Sequence, residues 1–178
     1  LVIESSLFEK NVASAGGGLY VLAGVDVINS TFSGNSANVD GGAINAAGTS
    51  SVTIIHSTIT NNNAGRDGFG RGGAYAGMYP PSMVVNSIVT GNTAGAGGHD
   101  IFFHNNMPYD QVASLIGVDA GLDPELKDNG GPLKTHALLP GSPAIDGGVI
   151  NEHTQGITTD QRGLKRPVDA GSDADTVA

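Results

Sequence analysis

Short runs of alternating apolar and polar residues fill the first hundred positions, and almost nothing there has a helical period. Val25 and Val27 alternate with polar neighbours, and Leu1 and Ile3, Val52 and Ile54, and Ser82 and Val84 occupy the same places in their own runs. Each run leads to an apolar residue that is followed three positions later by Asn: Phe8 and Asn11, Phe32 and Asn35, Ile59 and Asn62, Val89 and Asn92. A Ser stands two residues before each of these apolar markers, at Ser6, Ser30, Ser57 and Ser87, and an Ala follows each Asn at Ala13, Ala37, Ala64 and Ala94. The markers are spaced by 24 (32 − 8), 27 (59 − 32) and 30 (89 − 59) residues. A period in the twenties that tolerates insertions is the signature of a solenoid. The pattern predicts two or three short strands per coil, with a bend near Asn29 that resets the alternation. It therefore describes an all-β, right-handed parallel β-helix of about four coils plus a partial one.

Stacked coils lie about 4.8 Å apart, so equivalent positions form ladders along the axis. The expected internal ladders are Phe8-Phe32-Ile59-Val89 and Ser6-Ser30-Ser57-Ser87. Asn11, Asn35, Asn62 and Asn92 form a third ladder. Asn tolerates the left-handed turn conformation, and its amide both donates and accepts, so stacked Asn side chains satisfy one another. The alternative reading of this row is a set of glycan-binding side chains. Paired glycines at Gly16-Gly17, Gly41-Gly42, Gly72-Gly73 and Gly97-Gly98 mark turns where a Cβ would clash. Leu1 enters in mid-repeat, occupying the place of Val25, so a longer solenoid is expected upstream, with any signal peptide outside this segment.

Composition supports the β reading. The chain has 178 residues with 28 Gly and only 5% aromatic residues, which suits short strands and tight turns better than a conventional large-side-chain core. Eight Lys and Arg against 17 Asp and Glu give a net charge of −9, which argues against nucleic acid or an anionic membrane surface as partner. Without cysteine there is neither a disulfide framework nor a thiolate metal site. No apolar run reaches membrane-spanning length, so no membrane insertion is expected of this segment.

Two insertions interrupt the third coil, Arg66-Asp67-Gly68-Phe69-Gly70-Arg71 and Gly77-Met78-Tyr79-Pro80-Pro81. Arg66, Asp67, Phe69, Arg71 and Tyr79 are the ligand-binding candidates, because exposed aromatic and charged groups together can stack on and hydrogen-bond a sugar ring or a protein partner. His99 and His104 flank Asp100 and offer half of a metal site, with a surface or turn role as the alternative.

From Asp119 the character changes, dividing the chain into coils over 1–118 and a terminal module over 119–178. The runs Asp128-Asn129-Gly130-Gly131-Pro132, Thr135-His136-Ala137-Leu138-Leu139-Pro140-Gly141-Ser142-Pro143-Ala144-Ile145-Asp146 and Thr159-Asp160-Gln161-Arg162-Gly163 resemble the choice-of-anchor Q C-terminal domain. The coils are similar to pectin-lyase-like repeats and to those of polymorphic outer-membrane proteins. The resemblance implies the C-terminal part of a bacterial surface or secreted protein. It differs from that family in its last ten residues, which lack both a Cys and the usual closing strand. The open end of a β-helix needs covering, so the module is expected to act as a cap. Leu138, Leu139, Ala144 and Ile145 would seat it, and Arg162 would pair with a carboxylate such as Asp146.

Pectin-lyase-like folds raise the prospect of polysaccharide cleavage, by clustered Asp holding Ca²⁺ or by paired carboxylates. Yet Glu4, Glu9, Asp26, Asp40, Asp67 and Asp100 do not recur at one coil position, so no catalytic residue is assigned here. Asp119, Asp123 and Asp128 are candidates for one Ca²⁺; no other cofactor is implied. The expected function is non-catalytic, adhesin-like display at the cell surface, binding glycan or protein. The alternatives are a polysaccharide lyase or glycoside hydrolase with its catalytic residues upstream, and a structural subunit that associates laterally with copies of itself.

Overall fold

The computed structural model describes residues 1–65, 68–105 and 107–166. It is a parallel β-solenoid of about four turns, and no helix occurs among the described residues. Sheet A stacks Val2–Glu4, Val25–Ile28, Val52–Ile55, Met83–Val85 and Asp110–Val112. Sheet B stacks Leu7–Glu9, Thr31–Ser33, Thr58–Thr60, Ile88–Thr90 and Leu115–Ile116. Sheet C holds Val12–Ala13, Ser36–Ala37, Asn63–Ala64 and Thr93–Ala94, and sheet D holds Leu19–Val21, Ile44–Ala46, Tyr75–Gly77 and Ile101–Phe103.

The register reproduces the spacing of the repeat. Phe8, Phe32, Ile59 and Val89 are successive partners, and Ile116 extends the row. The Phe8 and Phe32 rings stack face to face with centroids 4.4 Å apart. In the Ser ladder, each backbone N–H donates to the Oγ one coil on: Ser6 to Ser30, Ser30 to Ser57, Ser57 to Ser87, and Ser87 to Ser114. Each Oγ of Ser30, Ser57, Ser87 and Ser114 in turn donates to the carbonyl two residues before it. The hydroxyl thereby fills both halves of its hydrogen-bonding capacity inside the wall.

The Asn ladder works the same way at the corner between sheets B and C. Asn11 Nδ2 donates to Asn35 Oδ1, Asn35 Nδ2 to Asn62 Oδ1 and Asn62 Nδ2 to Asn92 Oδ1, at 2.8–2.9 Å. One expectation is corrected here: the ladder asparagines do not take the left-handed conformation. It belongs to the residue before each of them, Lys10 (φ 54°), Gly34 (67°), Asn61 (58°) and Gly91 (67°). The bend between sheets A and B uses the same device at Ser5, Asn29, His56, Asn86 and Ala113, all with φ between 45° and 49°. A single left-handed residue turns the strand and inverts its side-chain parity, which places Ser and Asn inside.

The terminal segment is also placed differently from expectation. Instead of closing the end of the coil stack, residues 119–166 run back along the outside of sheet B and the A/B corner. Asn86 exchanges two hydrogen bonds with Val149, Asn29 Nδ2 donates to the Thr159 carbonyl, and Gln161 Nε2 reaches the Ser6 carbonyl in the first coil. Sheet B is therefore covered on both faces, and Thr31, Ser33, Thr58 and Thr60 are buried although they point away from the core. Of the four apolar residues expected to seat the module, Leu138 and Ala144 pack against Ile88, Leu115, Ala120 and Leu122. Leu139 is exposed, and Ile145 is half-buried.

Candidate functional site

Sheet D carries an outward row between two inward ones. Tyr20, Asn45, Ala76 and Phe102 are consecutive partners in register, while Ile44 and Tyr75 on one side of the row and Val21 and Ala46 on the other are buried. Three coil steps of about 4.8 Å put the two aromatic residues about 14 Å apart along the axis. At the Phe102 end of the row lies a shallow depression of about 160 Å³, edged by Asp40, Asn45, Met78, Phe102 and His104. Its aromatic wall is organised: the Arg71 guanidinium lies 4.9 Å from the Phe102 ring centroid, and His104 meets the same ring edge-on at 4.9 Å. Asp40 Oδ1 accepts the Arg71 backbone N–H, which fixes Arg71 beside the trough. At its rim, the buried Tyr75 hydroxyl donates to the Tyr79 carbonyl and holds the Gly77–Tyr79 turn.

The structure thus brings Arg71 and the turn bearing Tyr79 to one place, while Phe69, on the same insertion as Arg71, is 85% exposed and does not line the depression. Arg66 and Asp67 lie outside the described residues. Tyr20, Asn45, Phe102 and His104 were not singled out for this role from the sequence. The available signal was their shared position between inward residues, but the varied loop lengths of sheet D obscured it.

His99 and Asp100 do not gather a metal site; they close the sheet C edge. Asp100 Oδ1 accepts both the Asn92 Nδ2 at 2.8 Å and the Asn92 backbone N–H, taking the place of the next Asn in the ladder. His99 Nδ1 accepts the Ala94 N–H. Two side chains therefore supply the acceptors that a further coil would otherwise provide. Asp119, Asp123 and Asp128 each accept a backbone N–H two residues on, from Gly121, Glu125 and Gly130. Asp123 also pairs with Lys127 at 3.0 Å. Among the described residues, no three His, Asp or Glu side chains come close enough together to hold one ion. No described helix is long and apolar enough to cross a membrane.

A second polar assembly lies under the terminal segment. His56, at a left-handed position on the A/B corner, accepts a hydrogen bond at Nδ1 from Arg166 Nη1 at 2.9 Å. Burial, with Arg166 adding to it, pushes its pKa down to about 4, so the ring is neutral and carries its proton on Nε2. His136 bridges Ser33 Oγ at Nε2 and the Asp123 carbonyl at Nδ1, at 2.9 and 2.8 Å. Asp160 binds Arg162 through both the guanidinium and the backbone N–H, with the shortest contact 2.6 Å; the pairing with Asp146 is corrected to this nearer partner. A carboxylate two residues away, already turned inward by the loop, reaches the fork more easily than one across a variable stretch.

Comparison with models of known protein families, with curated proteins and with solved structures finds no match to this chain.

Proposed function

We propose that this segment is a non-catalytic display rod of a bacterial surface or secreted protein, and that it binds a glycan along sheet D. The observation that carries the reading is the row Tyr20-Asn45-Ala76-Phe102: aromatic residues at both ends, small and amide residues between them, Asp40 and His104 at the edge of the depression by Phe102, and Arg71 against the Phe102 ring. Aromatic faces accept sugar rings, and the flanking polar groups orient hydroxyls. The rod itself is stiff, because each coil is bonded to the next through backbone, Ser and Asn ladders. In this reading the coils belong with right-handed, pectin-lyase-like repeats and residues 119–178 with the choice-of-anchor Q kind of terminal domain, on the motifs quoted above. The scattered acidic residues of the coils favour binding over cleavage.

A glycan array followed by calorimetry on the best oligosaccharide tests this. Binding that falls at least about tenfold in Phe102→Ala, with unfolding unchanged, is the expected result. Binding that survives both Phe102→Ala and Tyr20→Ala would remove sheet D from the proposal, and release of reducing ends by the chain would replace display with catalysis.

A further inference from the structure

Beneath the terminal segment is a cavity of about 210 Å³ that the docking of that segment does not fill. Its floor is sheet B, through Thr31 and Thr58, with His56 at the corner; its roof includes His136, Leu138 and Gln161. The roof groups are already engaged. Gln161 Oε1 accepts from Thr31 Oγ1 and its Nε2 donates to the Ser6 carbonyl, while His136 is bonded at both nitrogens.

Two floor groups are not. Nδ1 of His56 is taken by Arg166, which lies on a neighbouring cavity and not on this one. His56 itself lines both cavities, and its opposite ring nitrogen carries the proton. Among the described residues, neither His56 Nε2 nor the Thr58 hydroxyl has a protein partner; both side chains are largely buried, yet neither atom is sealed off from solvent-sized space. Buried polar groups are ordinarily paired, and a donor left open in a roomy polar cavity implies an occupant. The volume would take several waters at about 30 Å³ each, and it falls below the ~300 Å³ of drug-sized pockets.

We propose that this cavity is a binding site for a single neutral, hydroxylated six-membered ring, a monosaccharide or the terminal residue of a glycan. His56 Nε2–H donates to a ring hydroxyl, Thr58 exchanges a hydrogen bond with a neighbouring one, and Leu138 lies against the apolar face of the ring. The site is separate from the sheet D trough and does not depend on it.

Long-range proton–nitrogen spectra of the chain's histidine side chains read the site directly, during titration with glucose, galactose, mannose and N-acetylglucosamine in turn. At least one sugar should shift His56 Nε2 in a saturable manner. Thr58→Val, which keeps the shape of a position whose stacking neighbour is Ile88, should weaken that binding about tenfold while the unfolding midpoint stays put. Phe102→Ala should leave it unchanged, which separates this site from the trough. The proposal is overturned if no sugar shifts His56 up to ~100 mM, if Thr58→Val binds as the parent does, or if a sugar-soaked crystal shows ordered water only.

Discussion

Replacing Asn62 by Ala probes the ladder at its best-protected rung. Asn62 is fully buried; its Nδ2 donates to the Phe32 and Thr60 carbonyls and to Asn92 Oδ1, and its Oδ1 accepts from the Asn35 N–H and Nδ2. The Ala variant leaves the buried Asn35 N–H without a partner in the wall and removes the side-chain bonds to Asn35 and Asn92, whereas the Phe32 carbonyl keeps its place in the sheet B ladder. At about 1–3 kcal/mol for the buried N–H left unsatisfied and about 1 kcal/mol for each of the two ladder bonds lost, the loss is about 3–5 kcal/mol. That is a large fraction of the ~5–15 kcal/mol typical of a folded domain. Asn11 supplies the contrast: it is exposed and makes its ladder bonds only as donor to Asn35 Oδ1, so Asn11→Ala should cost about 1 kcal/mol. Urea unfolding of both variants, followed by circular dichroism, gives the comparison. If Asn62→Ala costs under about 1 kcal/mol, or if the two variants are equally destabilised, then mutual satisfaction is not what the ladder contributes.

Acid should act through His56, whose pKa in the folded chain is lowered from 6.5 to about 4. The unfolded state then binds the extra proton first, so stability is complete above pH 6.5 and declines as pH falls toward 4. The decline amounts to about 3 kcal/mol, and it should be absent in His56→Asn, which suits the left-handed position; unfolding midpoints across that range decide it. Asp160→Asn weakens the anchor of Arg162 and should speed amide exchange over residues 159–166 while leaving the coil strands protected. Uniformly faster exchange across the coils would contradict that division. The Phe102→Ala and Thr58→Val variants test the two binding proposals as described above.

The coils were legible because each structural duty repeats. Ser30, Asn35 and Phe32 have the same tasks as Ser57, Asn62 and Ile59, so spacing alone exposes register, ladders and inward faces. What did not repeat was hidden. Asp100 ends the Asn ladder once, and nothing in a lone His-Asp pair distinguishes that from a metal ligand. His56 sits where neighbouring coils have Asn29 and Asn86, a substitution that reads as variation until Arg166 is seen to arrive from 110 residues away. The terminal segment has no periodicity and makes few backbone bridges, Leu122 with Leu138, Lys127 with Thr135 and Thr159 with Lys165. Its path was therefore set by long-range pairing that local pattern does not encode. The outward residues of sheet D lay between both cases: their register is periodic, but their chemistry is not.

The returning segment changes the order in which this chain can assemble. Coil-to-coil contacts span only 24 to 30 residues in the Asn and Ser ladders, so a solenoid can nucleate anywhere and grow rung by rung. Gln161, by contrast, bonds Ser6 across 155 residues, and Asn29 meets Thr159 across 130. Those closures become possible only once every intervening coil stands in register. The segment thereby acts as a completion check on the stack, because a one-residue slip in any coil would carry Asn29, His56 or Asn86 off the line it must meet. Folding should accordingly end in a slow, all-or-none docking step whose rate reports the fidelity of the coils beneath it.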